Sequence, residues 1–273
     1  MTPFRLLHFS DPHFGACDPA IAQAASLVAH DLKPDHLVVS GDFSMRGRRH
    51  EFQAAAAWLE QLPQPVTVFP GNHDVPGLNQ LFDRFFSPFR RYRKYINEVE
   101  EPTVRLGEVG TLVTANSSTP FGWHRDWSRG FLSPMQGHRI QSELTEAPGL
   151  RVLGVHHPLL ASKAKKRALI SPLPLVQGML KTCGTDLVLA GHFHQSNVGL
   201  FPKTAERGHQ TIVSQAPSIC TTRLKGEPNG FHLIHLETDK IDVEVFRWIG
   251  IHFEKCHTQR FQRAPTGWRE RSS

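Results

Sequence analysis

Apolar residues along this chain come in short bursts, and the spacing inside each burst separates strands from helices. Residues 4–9, 36–40 and 66–69 are compact apolar runs of strand length. Between the first two, Asp18-Pro19 reads as a helix N-cap followed by proline in the first turn. Ile21, Ala24, Ala25, Val28 and Leu32 then recur at helical spacing until Pro34 stops the pattern. Phe52, Ala55, Ala56 and Leu59 mark a second helix before the third strand. This βαβαβ order predicts a parallel sheet with helices on its faces. Further strands are expected over 151–155 and 186–190, then over 210–214, 231–236 and 241–246. The turn 237–240 should join the last two as a hairpin. A second sheet, mixed or antiparallel, should pack on the first.

Residues 76–103 interrupt the pattern with a helical insertion rich in Phe, Arg and Tyr. Phe82, Phe85, Phe86 and Phe89 should pack inward, with Arg90, Arg91, Arg93 and Lys94 in solvent. Alternatively, the aromatic and basic residues of 82–95 form a substrate wall or meet an anionic membrane surface. Residues 263–273 read as a poorly ordered tail. With no repeat and no linker, 1–262 is expected to be a single domain.

Composition narrows the class. Hydrophobic residues make up 39% of the 273, which supports a large core and excludes a disordered chain. No run approaches the ~20 apolar residues of a membrane span, and the amino terminus lacks a secretory apolar segment. The expected compartment is the cytoplasm. Cys17, Cys183, Cys220 and Cys256 match no metal or redox spacing and are expected to be reduced and structural. The net charge of +6 would attract phosphorylated ligands. Lys163, Lys165, Lys166 and Arg167 could steer a phosphate in the same way.

Chemistry enters at the strand ends. Five runs follow apolar bursts: Asp11-Pro12-His13, Gly41-Asp42, Gly71-Asn72-His73-Asp74, His156-His157-Pro158 and Gly191-His192-Phe193-His194. Ligands of open α/β sheets bind beyond the carboxyl ends of strands, so these separated segments should converge. Each run offers oxygen or nitrogen donors suited to hard or borderline divalent metals. None contains cysteine, which excludes a zinc finger.

Taken in this order, the five blocks resemble the calcineurin-like metallophosphoesterases. Residues 214–218 and the carboxyl-terminal strands are similar to bacterial class III 3′,5′-cyclic-nucleotide phosphodiesterases. The resemblance implies an α/β fold, a four-layer α/β/β/α sandwich of two mixed sheets flanked by helices. It implies two divalent ions, manganese, iron, zinc or cobalt, with manganese or iron favoured. Asp11, His13 and His194 would hold one ion, and Asn72, His156 and His192 the other, with Asp42 shared. His73 would serve the scissile phosphate as proton donor, oriented by Asp74. His157 would support the ligands or, as Arg46 would, contact substrate. The implied reaction is hydrolysis of a small phosphodiester, such as cyclic AMP, by a metal-bridging hydroxide. Alternatives are a UDP-sugar-lipid pyrophosphohydrolase, a nuclease or a non-enzymatic scaffold. A homodimer is allowed, and nucleic acid is not expected as a partner.

Overall fold

The computed structural model describes residues 2–77, 80–120, 129–160, 169–202 and 209–271. The chain runs β1 (Phe4–Phe9), α1 (Pro19–Leu32), β2 (His36–Ser40), α2 (Arg49–Leu59), β3 (Val66–Phe69), α3 (Leu81–Phe86) and α4 (Arg90–Tyr95). It continues through β4 (Thr103–Leu106), β5 (Gly110–Ala115), α5 (Pro134–Glu146), β6 (Leu150–Val155), α6 (Leu173–Cys183) and β7 (Leu187–Ala190). The last elements are β8 (Asn197–Phe201), β9 (Thr211–Gln215), β10 (Gly230–Leu236), β11 (Lys240–Trp248), β12 (Phe253–Ala264) and β13 (Gly267–Glu270). The basic run at Lys163, Lys165, Lys166 and Arg167 lies outside the described residues.

Among the described residues the strands form two mixed sheets, ordered β13-β12-β11-β10-β1-β2-β3 and β4-β5-β6-β7-β9-β8. In the seven-stranded sheet the parallel pairs β1/β2 and β2/β3 form one end and antiparallel strands β10–β13 the other; in the six-stranded sheet the parallel pairs β5/β6, β6/β7 and β7/β9 are central, with antiparallel β4 and β8 at the edges. Leu6, Val38, Val152, Leu189, Ile212 and Ile234 face one another between the sheets. Leu7, Phe9, Leu37 and Val39 turn the other way, onto Ala22, Ala25, Phe52 and Trp58 of α1 and α2. Val113, Leu153, Val155 and Val188 pack outward on Ile140 and Leu144 of α5 and Val176 of α6. The layers are therefore helix, sheet, sheet, helix, as the resemblance implies. Burial on both faces explains why these strands read as continuous apolar runs.

Local signals act where they were read. The Asp18 side chain accepts from Ala20 N and Ile21 N, capping α1, and Lys33 leaves the helix in the left-handed region before Pro34. Two expectations are corrected. In the insertion, Phe89 and Tyr92 are buried as expected, but Phe82 and Phe86 are exposed and Arg84 is buried. Arg84 donates to the Pro76 carbonyl, so α3 turns its aromatics outward. The poorly ordered tail is instead strand β13, paired antiparallel with β12 through residue 270. Trp268 is fully buried there, its Nε1 donates to Asp186 Oδ1 at 3.0 Å, and Arg263 lies over its ring. Burial of one indole outweighs the polar composition around it.

His36 on β2 is buried with Nε2 2.7 Å from Thr67 Oγ1, and burial pushes its imidazole down from 6.5 to about 4. Below pH 6.5 the unfolded chain takes up a proton that the folded chain refuses. Stability therefore falls as pH drops through that window. Near pH 5 this one group amounts to about 2 kcal/mol. His36→Gln is expected to flatten the loss of melting temperature between pH 7 and pH 5. A parent-like slope in the variant would contradict this account.

Candidate metal centre

The five runs meet at one end of the sheets. Asp11 and His13 follow β1, Asp42 follows β2, and Asn72, His73 and Asp74 form a single 3-10 turn after β3. His156 follows β6, and His192 and His194 follow β7. Backbone bonds knit the loops: Asp11 N donates to Gly41 O, His13 N to Asp42 O, and Gly191 N to His156 O.

The backbone at these positions is unusual. Asp11, His13, Asp42, His192 and His194 all have positive φ, between 49° and 74°. Aspartate and histidine tolerate this region better than most residues, and its concentration here marks a site held by its surroundings. Close approach explains two glycines. A Cβ on Gly71 would collide with Asp42 Oδ1, and one on Gly191 would collide with Ser10 Oγ.

The donor atoms form two adjoining groups. Asp11 Oδ1 lies 3.6 Å from His13 Nε2 and 3.4 Å from His194 Nε2, and the two nitrogens are 3.0 Å apart. Asp42 Oδ2 lies 3.3 Å from His156 Nε2, and Asn72 Oδ1 lies 3.2 Å from His156 Nε2 and 2.9 Å from His192 Nδ1. Asp42 Oδ2 also lies 3.6 Å from His13 Nε2, so it borders both groups. These atoms fit divalent ions. Bonds of ~2.0–2.2 Å to one ion place its ligand atoms about 3–3.5 Å apart. Asp11 Oδ1 and Asp42 Oδ2 are buried and have no hydrogen-bond partner among the described residues. A buried carboxylate oxygen without a donor demands a cation. Among the described residues, His13 Nδ1 and His157 Nε2 also lack hydrogen-bond partners.

The remaining atoms of the cluster fix its orientation. Asp11 Oδ2 accepts from Ser10 Oγ and from His192 N at 2.9 Å, and Asp42 Oδ1 accepts from His73 N at 2.8 Å. His156 Nδ1 lies 2.8 Å from Ser40 O, which points Nε2 inward, and His194 Nδ1 lies 3.3 Å from Arg223 O. Burial pulls the Asp11 and Asp42 carboxyls up, but the surrounding imidazoles outweigh it and hold both well below the usual range. For His156, burial opposes the charged form, yet Asp42 draws its imidazole up to about 9. The field that attracts a proton there also attracts a metal ion.

Two sequence expectations change at this point. Asp74 does not hold the His73 ring: its carboxylate accepts from Gly71 N, Ser44 N and Ser44 Oγ, tying the turn to the loop after β2. The Met45 carbonyl takes that role, 2.8 Å from His73 Nδ1. His157 is fully buried, with Nδ1 2.8 Å from Ser117 Oγ and its ring 4.8 Å from the His192 ring, so it backs the ligands and does not face substrate. Arg46 is exposed beside Met45, and its backbone N donates to Glu51 Oε2 at 2.8 Å. Ser10, Ser218 and Arg223 were missed. Ser218 Oγ donates to Asp11 O at 2.6 Å, inside the 214–218 segment that carried part of the resemblance.

Residues 4–196 match the profile described as calcineurin-like phosphoesterase. The chain belongs to this family. It is therefore a phosphoesterase of a dinuclear, metal-dependent class. It is similar to a probable cyclic nucleotide phosphodiesterase of Rhodococcus erythropolis, 26% identical over 80% of this chain and 71% of the relative. A probable cyclic nucleotide phosphodiesterase of Synechococcus sp. is 25% identical over 84% of this chain and 85% of the relative. Among solved structures, PhoD superposes with a TM-score of 0.75 at 12% identity, covering 100% of this chain and 72% of that one. That likeness bears on the phosphoesterase fold. Among the described residues, no helix is long and apolar enough to cross a membrane.

Proposed function

We propose that this phosphoesterase is a phosphodiesterase that hydrolyses small phosphodiesters, with 3′,5′-cyclic nucleotides as its substrate class. The observation that carries the reading is the pair of buried, partnerless oxygens, Asp11 Oδ1 and Asp42 Oδ2, each ringed by imidazole nitrogens. Asp11, His13 and His194 would hold one ion and Asn72, His156 and His192 the second, with Asp42 placed to serve both. When bound, such ions would supply charge neutralisation at a phosphoryl group and a more acidic water.

The chain's own residues do the rest. Met45 O accepts from His73 Nδ1–H, so Nε2 gives a proton to the leaving oxygen only from the imidazolium form, which burial disfavours and the neighbouring Asp42 carboxylate favours. Arg223 lies against Met45 Sδ while its carbonyl meets His194, which places an exposed guanidinium beside both. With Arg46 it favours an anionic substrate. The diester class and the cyclic nucleotide draw their support from the names of the two relatives.

The test is metal-free protein reloaded with manganese or iron and assayed on bis(p-nitrophenyl) phosphate, 3′,5′-cyclic AMP and p-nitrophenyl phosphate. The expected result is diester hydrolysis that exceeds monoester hydrolysis, yields a nucleoside monophosphate and disappears with a chelator. No hydrolysis of either diester after reloading overturns the reading.

A further inference from the structure

The cluster between the two sheets is apolar, and a polar layer lies beside it on the side of the metal centre. On β1, β2, β9 and β10 the inward positions Leu6, Val38, Ile212 and Ile234 belong to the same apolar cluster. Two residues along each strand, toward the metal centre, the same face carries His8, Ser40, Ser214 and His232, all fully buried. These four side chains form a continuous file with Ser196 and Ser10. Ser196 Oγ is 2.8 Å from His232 Nε2, and His232 Nδ1 is 2.8 Å from Ser214 Oγ. Ser214 Oγ is 3.5 Å from His8 Nδ1, and His8 Nε2 is 2.9 Å from Ser40 Oγ. Ser40 Oγ is 2.8 Å from Ser10 Oγ, which donates to Asp11 Oδ2.

The end of the file sets its direction. An ionised carboxylate only accepts, so Ser10 donates to Asp11 and accepts from Ser40. Ser40 then accepts from His8 Nε2–H, which leaves His8 Nδ1 to accept from Ser214. Ser214 accepts from His232 Nδ1–H, and His232 Nε2 accepts from Ser196. Every hydroxyl donates once, and both imidazoles stay neutral. Burial agrees with this, pushing His8 down to about 3 and His232 well below its ordinary value. Aligned bonds in a dry interior polarise one another, so the last one, onto Asp11, is the strongest. An aliphatic layer would have filled the same space without desolvating six polar side chains.

We propose that this polar layer is a positioning device for Asp11. Ser10 and the His192 amide occupy Oδ2, so only Oδ1 is turned to the ion that Asp11 shares with His13 and His194. His8, Ser40 and Ser10 are positioning residues. They make Asp11 a one-oxygen ligand of fixed direction, and the layer extends that control to the second sheet. The inference rests on the metal assignment proposed above.

The test is calorimetric titration of the metal-free full chain with manganese, which resolves two sites without reading activity. Ser10→Ala and His8→Leu are expected to weaken one of the two sites roughly 10- to 100-fold and leave the other within about threefold. His8→Gln, which keeps a donor toward Ser40, should recover most of the loss. If His8→Leu does not fold, Ser10→Ala decides, since it removes a single oxygen. Parent-like affinity at both sites in Ser10→Ala overturns the proposal while the metal assignment stands. A parent protein that takes up no manganese overturns the metal assignment and this inference with it.

Discussion

Replacing Asp42 with asparagine is expected to lower kcat/KM by about 10³-fold or more, a loss of about 4 kcal/mol in transition-state stabilisation. Bound metal should fall from two ions per chain toward one. The substitution is nearly isosteric, and its physical effect is confined to charge. Asp42 Oδ2 is buried, has no hydrogen-bond donor among the described residues, and lies 3.3 Å from His156 Nε2 and 3.6 Å from His13 Nε2. Oδ1 already accepts from His73 N at 2.8 Å, so an amide must keep its oxygen there and turn its NH2 toward the metal-facing position. A donor then points where a cation should sit, and two neighbouring dications lose the anion between them. The imidazole of His156 also loses the partner that draws it up to about 9. Elemental analysis after gel filtration gives the metal count, and the diester assay gives the rate. Activity within tenfold of the parent, with both ions still bound, would refute the shared-carboxylate assignment.

The same geometry explains what the sequence could and could not reveal. Ligand positions were legible because each follows a strand buried on both faces, and an apolar burst ending in Asp, Asn or His is a strong signal. The parts that orient those ligands were not. His73 is held by Met45 O, His156 by Ser40 O and His194 by Arg223 O. A carbonyl is the same in every residue, so no residue type announces it. The role of Asp74 as the residue that orients His73 was implied by the family resemblance. In the fold its carboxylate faces Gly71 and Ser44. His8 and His232 carried no signal for a different reason: a histidine within an apolar strand looks the same whether it fills space or continues a hydrogen-bonded file.

Elements were lost where one face is wet or the contact area is small. β12 spans Phe253–Ala264, yet only Phe253 and Phe261 are buried, so its pattern reads as polar. It is held by backbone pairing with β11 and β13, which carries no compositional mark. Helix α5 buries only Gly137, Ile140 and Leu144, too narrow a stripe to stand out. β13 was read as a tail because its single anchor, Trp268, is one residue among charged neighbours. Backbone pairing and a lone aromatic anchor can order a segment that periodicity leaves blank.

His73→Asn should separate proton transfer from metal binding. Asparagine can place its amide donor near the position of Nδ1, so the bond to Met45 O is retained, and the backbone bond from residue 73 to Asp42 Oδ1 is unaffected. Nε2 alone is lost. With cyclic AMP, whose leaving group is an alkoxide, kcat is expected to fall 10²- to 10⁴-fold, the usual contribution of a positioned acid. With bis(p-nitrophenyl) phosphate the fall should be tenfold or less, because p-nitrophenolate departs without a proton. The metal content should remain two per chain. That last measurement matters because His73 stands within metal-ligating reach of His13 and Asp42, and its ring centroid is 4.8 Å from that of His13. If His73 were a ligand, the variant would lose an ion and both substrates would suffer equally. An equal loss on the two diesters, with or without loss of metal, would remove His73 from the role of acid. A selective loss on the alkoxide leaving group with both ions retained is the outcome that the Met45-anchored ring requires.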